Sequence, residues 1–214
     1  MCIGFGVSTE VTEMEDALDH LRIPLVLPMR RALAPKRDLA SPGDSADVIR
    51  PIGRSQLAEL STLRWSWPGL RGKPVSTFRA EGLRFTHGRC LTPATHLVMS
   101  RTADGRGRVR VELADAPWFC MAGFWRRAPG HGDAFALLTL PARGPVSDLG
   151  ARQAVILDRS DWAGWLDDAN DARDSLRPVD PARLRLTELD PPRRPRSHPD
   201  ARNLEANRLL DNSG

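Results

Sequence analysis

The 214 residues suit one large domain, and 41% hydrophobic with 27% charged residues is the composition of a globular chain, which excludes a disordered bulk. No apolar run approaches the roughly 18 residues that span a bilayer, and the opening Met-Cys-Ile-Gly-Phe-Gly lacks the parts of a secretory signal, so the chain is expected to be cytoplasmic with no membrane partner. The net charge of +4 is carried nearly all by arginine, which contacts phosphates and stacks on bases; a genome that favours arginine codons explains the same balance.

Cys2, Cys90 and Cys120 form no closely spaced pair, and His20, His87, His96, His131 and His198 are scattered. Neither a disulfide framework nor a metal site is expected, and no cofactor is implied. Cys90 and Cys120 read as small buried apolar residues.

In chain order, residues 9–22 predict a first helix, with Val11, Met14, Leu18 and Leu21 at helical spacing and Thr12 with Glu15 as a capping box. Residues 35–51, rich in Pro, Gly, Asp and Ser, read as a surface loop around short extended pieces. From about Arg64 to Leu157 the pattern is of strands. His96–Arg101 and Arg108–Leu113 flank Thr-Ala-Asp-Gly-Arg-Gly, a hairpin signal, and Arg-Val-Arg-Val-Glu-Leu alternates as a strand with one wet face does. Trp118–Trp125, Phe135–Pro141 and Gln153–Asp158 are further strands. A second helix is predicted over Asp161–Ala169, capped by Ser160, with Trp162, Trp165, Leu166 and Ala169 on its apolar face. A single domain over residues 1–190 and a Pro- and Arg-rich flexible tail over 191–214 complete the expected organisation.

Several motifs occur in an order that resembles the SRAP family, the SOS-response-associated peptidases or abasic-site-processing proteins. Met1-Cys2 stands where the family begins Met-Cys-Gly-Arg, and Arg64-Trp65-Ser66-Trp67-Pro68 resembles its Arg-Trp-Gly-Leu-x-Pro. Phe78-Arg79-Ala80-Glu81 and Arg89-Cys90-Leu91-Thr92-Pro93-Ala94 are similar to Asn-Ala-Arg-Ala-Glu-Thr and to the start of Arg-Cys-Leu-x-Pro-Ala-Asp-Gly-Phe-Tyr-Glu-Trp. Phe119-Cys120-Met121-Ala122-Gly123-Phe124-Trp125 resembles Phe-Ala-Phe-Ala-Gly-Leu-Trp, and Leu138-Thr139 through Arg152 to Leu157 follows Thr-x-x-Ala and His-x-Arg-Met-Pro-x-x-Leu. The resemblance spans roughly residues 1–170. It implies an α+β fold, with a mostly antiparallel, barrel-like β core and flanking helices.

The resemblance further implies that Cys2, made N-terminal by removal of Met1, captures abasic sites in single-stranded or gapped DNA. An α-amine with a pKa of about 7.7 to 8.0 is partly neutral near pH 7. It attacks the aldehyde of the opened sugar to form a Schiff base. The neighbouring thiol closes intramolecularly to a thiazolidine. The peptidase activity in the family name is then self-removal of the residue before Cys2.

Three positions depart from the family. Its Asn aligns with Thr77, its Glu with Met99 and its His with Gly150. A carboxylate and an imidazole are the groups expected to move protons here, and neither Met nor Gly replaces them. His96, three residues before Met99, points to the opposite face of a strand. The candidate DNA-binding residues that remain are Arg64, Trp65, Trp67, Arg79, Thr139 and Arg152. The arginines suit phosphates and the two tryptophans suit base stacking; the alternative for the tryptophans is burial, on one shared face because of their parity. The expected protein is therefore a monomeric, DNA-damage-response SRAP-like protein that crosslinks to abasic DNA through Cys2 with impaired acid/base chemistry. The alternatives are a catalytically dead DNA- or protein-binding module and a repurposed Cys2-dependent enzyme.

Overall fold

The computed structural model describes residues 2–7, 9–27, 34–53, 55–101, 107–169 and 171–189. The elements in chain order are β1 (Cys2–Val7), α1 (Val11–Asp19), β2 (Leu25–Val26), β3 (Arg37–Ala40), β4 (Ser45–Pro51), β5 (Ala58–Trp65), β6 (Trp67–Pro68), β7 (Pro74–Val75) and β8 (Thr77–Arg79). They continue with β9 (Arg89–Ala94), β10 (Leu97–Ser100), β11 (Arg108–Leu113), β12 (Phe119–Ala128), β13 (Gly132–Pro141), β14 (Arg152–Ala154), β15 (Ile156–Leu157), α2 (Trp162–Leu166) and β16 (Leu184–Leu189).

Strands β5, β4, β9, β12 and β13 are neighbours in that order. Parallel pairing of Ala134 with Arg64 and of Phe135 with Trp65 joins β13 back to β5, closing a five-stranded barrel and removing the free edges of that ring. A second sheet runs β16-β11-β10-β1-β3. Phe5, Leu97 and Met99 of this sheet pack with Leu63, Trp65, Met121, Phe135 and Leu137 of the barrel in one core. The barrel's outer wall forms a second core under the helices, where Leu18, Leu60, Leu138, Trp162 and Trp165 meet.

The α+β, mostly antiparallel, barrel-like architecture agrees with expectation, and the local differences have physical causes. Residues 35–51, expected as a surface loop around short extended pieces, hold strands β3 and β4, and β4 is buried rather than at the surface. β4 lies inside the barrel wall, so Ala46, Asp47, Val48 and Ile49 are all buried and the alternation that marks a half-exposed strand is missing. Its buried carboxylate, Asp47, is satisfied by the Ala34 N–H at 3.0 Å and the Thr62 hydroxyl at 2.5 Å, as a buried charge requires.

Helix α1 buries Met14, Ala17 and Leu18 but is shorter than predicted, and its cap is Glu13 accepting from the Glu10 N–H at 3.4 Å, not Thr12 with Glu15. Helix α2 is shorter as well. Ser160 lies inside a 3-10 turn at Arg159–Asp161 instead of capping, and the helix ends at Leu166. There the carbonyl of Asp167 accepts a hydrogen bond from Arg89, a side chain only 1% exposed. Trp162 and Trp165 are core residues, at 2% and 0% exposure. The predicted hairpin is present as β10 and β11, with Met99 opposite Val109. Its turn residues 102–106 and the tail over 191–214 lie outside the described residues.

Candidate functional site

Cys2 opens β1, and its Cα partner across the antiparallel ladder is Met99 on β10. Register shifts between Cys2 and Gly4, the kind of bulge that re-aims a strand end. Met99 is 1% exposed and packed in the core shared by Phe5, Leu97 and Val109. Leu149, one residue before Gly150, belongs to the same core. Gly150 closes a 3-10 turn at Gly144–Leu149 with extended backbone. The position aligned with the family's carboxylate is thus a buried thioether, and the position aligned with its imidazole is bare backbone.

His96 does not substitute. It packs over Gly6, where an added Cβ would meet its ring at 2.3 Å, and its Nε2 lies 3.4 Å from Arg110 Nη2. Burial, aided by the Arg110 charge, lowers its pKa. The neutral ring is a structural neighbour of β1 on the face away from the Met99 core.

A second group of matched residues gathers on β8, β13 and β14. Arg79 stands opposite Thr139, and Thr77 opposite Leu137; Thr77 and Arg79 are exposed. Thr139 donates to the Phe78 carbonyl at 3.1 Å and accepts from Arg152 Nε at 3.0 Å. Arg152 also donates to the Thr139 carbonyl at 2.6 Å, and its two terminal nitrogens hold both carboxylate oxygens of Glu81 at 2.7 and 2.5 Å. Hydrogen bonding from Arg152 lowers the Glu81 pKa to about 2. Every nitrogen of this guanidinium thus has a protein partner, and its charge is matched. The expectation that Arg152 contacts phosphate gives way to a clamp that ties β14 to the segment after β8. Arg79 is exposed and forms no close ion pair among the described residues, although its charge also helps to lower the Glu81 pKa.

Glu81 was not singled out in the sequence, although it lies within the Phe-Arg-Ala-Glu motif. Its neighbour in that motif, Arg79, was the signal that charge chemistry is concentrated there. Arg89 was likewise missed as a buried cation. It pairs with Asp168 at 3.3 Å, lies 5.5 Å from the Trp165 ring centroid, and fastens α2 to the barrel.

Both tryptophans expected to stack on bases are buried instead. Trp65 is fully buried, with its Nε1 donating to the Ser76 carbonyl at 2.8 Å and its ring 4.8 Å from Phe5. Trp67 is 5% exposed and packs against Phe78 and Phe124. Their shared parity does not give one shared face, because Ser66 between them has φ of 106°. That left-handed residue ends β5, and the two rings enter different clusters. Neither offers a free face for a base. Arg64 is exposed but sits opposite Ala134, five residues along β13 from Thr139, or roughly 17 Å at strand spacing; it does not join the Arg79 group.

Cys90 and Cys120 are free and fully buried, and burial raises both thiols' pKa values. They are inert core residues. No cluster of three metal-ligating side chains exists among the described residues, and no described helix is long and apolar enough to cross a membrane.

The fold recurs in proteins of known structure. A protein from Bordetella bronchiseptica has the same fold, with a TM-score of 0.70 and 22% identity over 88% of this chain and 100% of that one. A phage-related protein from the same organism gives a TM-score of 0.67 with 20% identity, covering 88% of this chain and 94% of that one. A protein from Bacteroides thetaiotaomicron gives 0.67 with 14% identity, over 88% and 92%. No curated protein matches the chain. The family model of the SOS response associated peptidases matches residues 75–191, more than half of the sequence, and the chain belongs to the SRAP family.

Proposed function

We propose that this protein binds single-stranded or gapped DNA and that Cys2, once it becomes N-terminal, forms a covalent thiazolidine with abasic sites. The reading rests on family membership and on one observation above all: Cys2 begins β1 directly across the ladder from Met99, the position aligned with the family's carboxylate. In the reaction the α-amine adds to the sugar aldehyde and expels water to give an imine. The thiol then adds across the C=N bond, forming C–S while the nitrogen takes the proton. No oxidant, metal or cofactor is needed. With Met99 and Gly150 in place of proton-transfer groups, capture is slow, since such groups contribute about 10² to 10⁴ in rate.

A second reading, a DNA-binding module without covalent chemistry, is favoured by the burial of Met99 in an apolar core. One experiment separates the two. Protein whose mass shows Met1 removed is incubated with single-stranded DNA carrying one abasic site and run on a denaturing gel. A shifted band that Cys2→Ala abolishes is the expected result. Binding in a native gel with no denaturation-resistant band after hours would leave the non-covalent reading standing and remove the first.

A further inference from the structure

A cavity of about 290 Å³ opens where the end of β11, the start of β12 and α2 come together. It is remote from Cys2. Leu113 on its wall is four residues along β11 from Val109, which stands opposite Met99, or roughly 13 Å at strand spacing. The apolar lining is Leu113, Trp118, Phe119, Leu157 and Trp162, all of them buried. The two indoles lie 5.3 Å apart and are tilted by 41°. Trp162 Nε1 donates to the Leu157 carbonyl at 3.3 Å, so its polar handle is already committed. The charged lining is Asp115, Arg159 and Arg183.

These charges are used unequally. Arg183 pairs with Asp115 at 2.7 Å and with one Asp158 oxygen at 2.5 Å. Arg177 takes the other Asp158 oxygen and also lies 2.7 Å from Asp161. Two arginines thus occupy three carboxylates. Arg159 is exposed and forms no ion pair among the described residues. Its guanidinium lies instead 5.6 Å from the Trp118 ring centroid and 5.4 Å from that of Trp162. Stacking of this kind holds the guanidinium plane on the rings and leaves its N–H edge for a planar oxyanion.

We infer that this cavity binds a small aromatic carboxylate, its ring among Trp118, Phe119, Leu157 and Trp162 and its carboxylate on Arg159. An apolar, aromatic lining with a few placed polar groups is the pattern of small-molecule sites. The volume lies near the lower limit of such pockets, about 300 Å³, which suits one ring or two fused rings. One unmatched arginine calls for one negative charge. A dianion such as a phosphate monoester fits less well, because the Asp115 carboxylate, fixed by Arg183, repels the second charge. The site uses neither Cys2 nor Arg79 and does not depend on the DNA-binding reading.

The test is calorimetric titration of the full-length protein with 2-naphthoate, using 2-naphthamide as the uncharged ring and acetate as the anion without a ring. The parent is expected to bind 2-naphthoate about tenfold more tightly than 2-naphthamide and to give no signal with acetate. Arg159→Gln should weaken 2-naphthoate about tenfold, the size of one lost charge-assisted hydrogen bond, and leave 2-naphthamide unchanged. Arg159→Lys should restore part of the loss. Ala116 also lines the cavity, and Ala116→Phe should fill it and abolish binding of both rings while a melting curve shows the variant folded. A parent that binds no 2-naphthoate at millimolar concentration overturns the site. Equal affinity for 2-naphthoate and 2-naphthamide, or parental affinity in Arg159→Gln, overturns the role of Arg159. Tighter binding of 2-naphthyl phosphate than of 2-naphthoate overturns the carboxylate assignment. Single-stranded DNA is expected not to displace 2-naphthoate; displacement would assign the cavity to nucleic acid and overturn the small-molecule site.

Discussion

Arg152 and Glu81 form a two-pronged ion pair, with both terminal guanidinium nitrogens on the two carboxylate oxygens at 2.7 and 2.5 Å. This pair divides the matched arginines into two kinds. Arg152 is spent inside the protein, because its remaining donor reach goes to Thr139. Arg79, two residues before Glu81, is exposed and forms no close ion pair among the described residues.

The first prediction follows from that division. Arg79→Ala should weaken single-stranded DNA binding across sequences and reduce the salt slope by about one, the signature of one lost phosphate contact. Arg152→Ala should instead lower the melting temperature while changing the salt slope little. Glu81→Gln goes the other way: with Arg152 no longer neutralised, affinity at low salt should rise. Fluorescence-anisotropy titrations at several salt concentrations check all three, and an Arg152→Ala variant that loses a full unit of slope would return Arg152 to the DNA contacts.

The same pair sets a dependence on pH. Glu81 is held at about 2, below its ordinary value of 4.5, by hydrogen bonds from Arg152. A carboxylate whose folded pKa is depressed stabilises the fold above the unfolded pKa, and that contribution is lost as pH falls from about 4.5 toward 2. The side chain is 40% exposed, so solvent screening keeps the effect small, below about 1 kcal/mol. Melting curves between pH 6 and pH 2.5 should show a steeper acid loss for the parent than for Glu81→Gln. Parallel curves would mean that the pair contributes nothing measurable.

Trp65 gives a prediction about stability rather than binding. Its ring is fully buried and its N–H is committed to the Ser76 carbonyl. Trp65→Phe removes one hydrogen bond and part of the packing, and should cost about 1 to 3 kcal/mol in chemical denaturation. DNA affinity of the folded variant should stay within about twofold. A Trp65→Phe protein of parental stability with sharply reduced affinity would mean that the ring meets DNA.

What the sequence revealed, and what it hid, follows from how each signal is encoded. The β10–β11 hairpin was legible because β11 has one wet face and alternates visibly, with Val109, Val111 and Leu113 buried and the residues between them less so. β4 was hidden for the opposite reason: buried on both faces, it carries no period. Trp65 and Trp67 had the right spacing for one face, but Ser66, with positive φ, broke the strand between them, and no residue preference announced that break. Cys2 was legible as a candidate only through the family motif, since a lone cysteine carries no spacing. The role of Glu81 was invisible because its partner lies 71 positions away. Long-range charge pairing leaves no local pattern.

The last prediction concerns the two family positions that lack proton-transfer groups. Met99→Glu combined with Gly150→His should speed capture of an abasic site, and each change alone should help less, because the carboxylate and the imidazole serve different proton transfers. Gly150 accepts a side chain without backbone strain, since its φ of 164° is extended. Met99 is the harder position. It is 1% exposed among Phe5, Leu97 and Val109, so a glutamate there meets an apolar core unless it turns toward Cys2 across the ladder. Burial raises the folded pKa of such a glutamate above its unfolded value. The variant should then be most stable below about pH 4 and lose stability as pH rises through its folded pKa. Melting curves at pH 4, 6 and 8 measure that cost and show where the double variant is folded. Within that range, crosslinking is timed on denaturing gels against the parent. A folded double variant that captures abasic DNA no faster than the parent would mean that these two positions do not limit the reaction, and that the surroundings of Cys2 have been rebuilt for a different substrate.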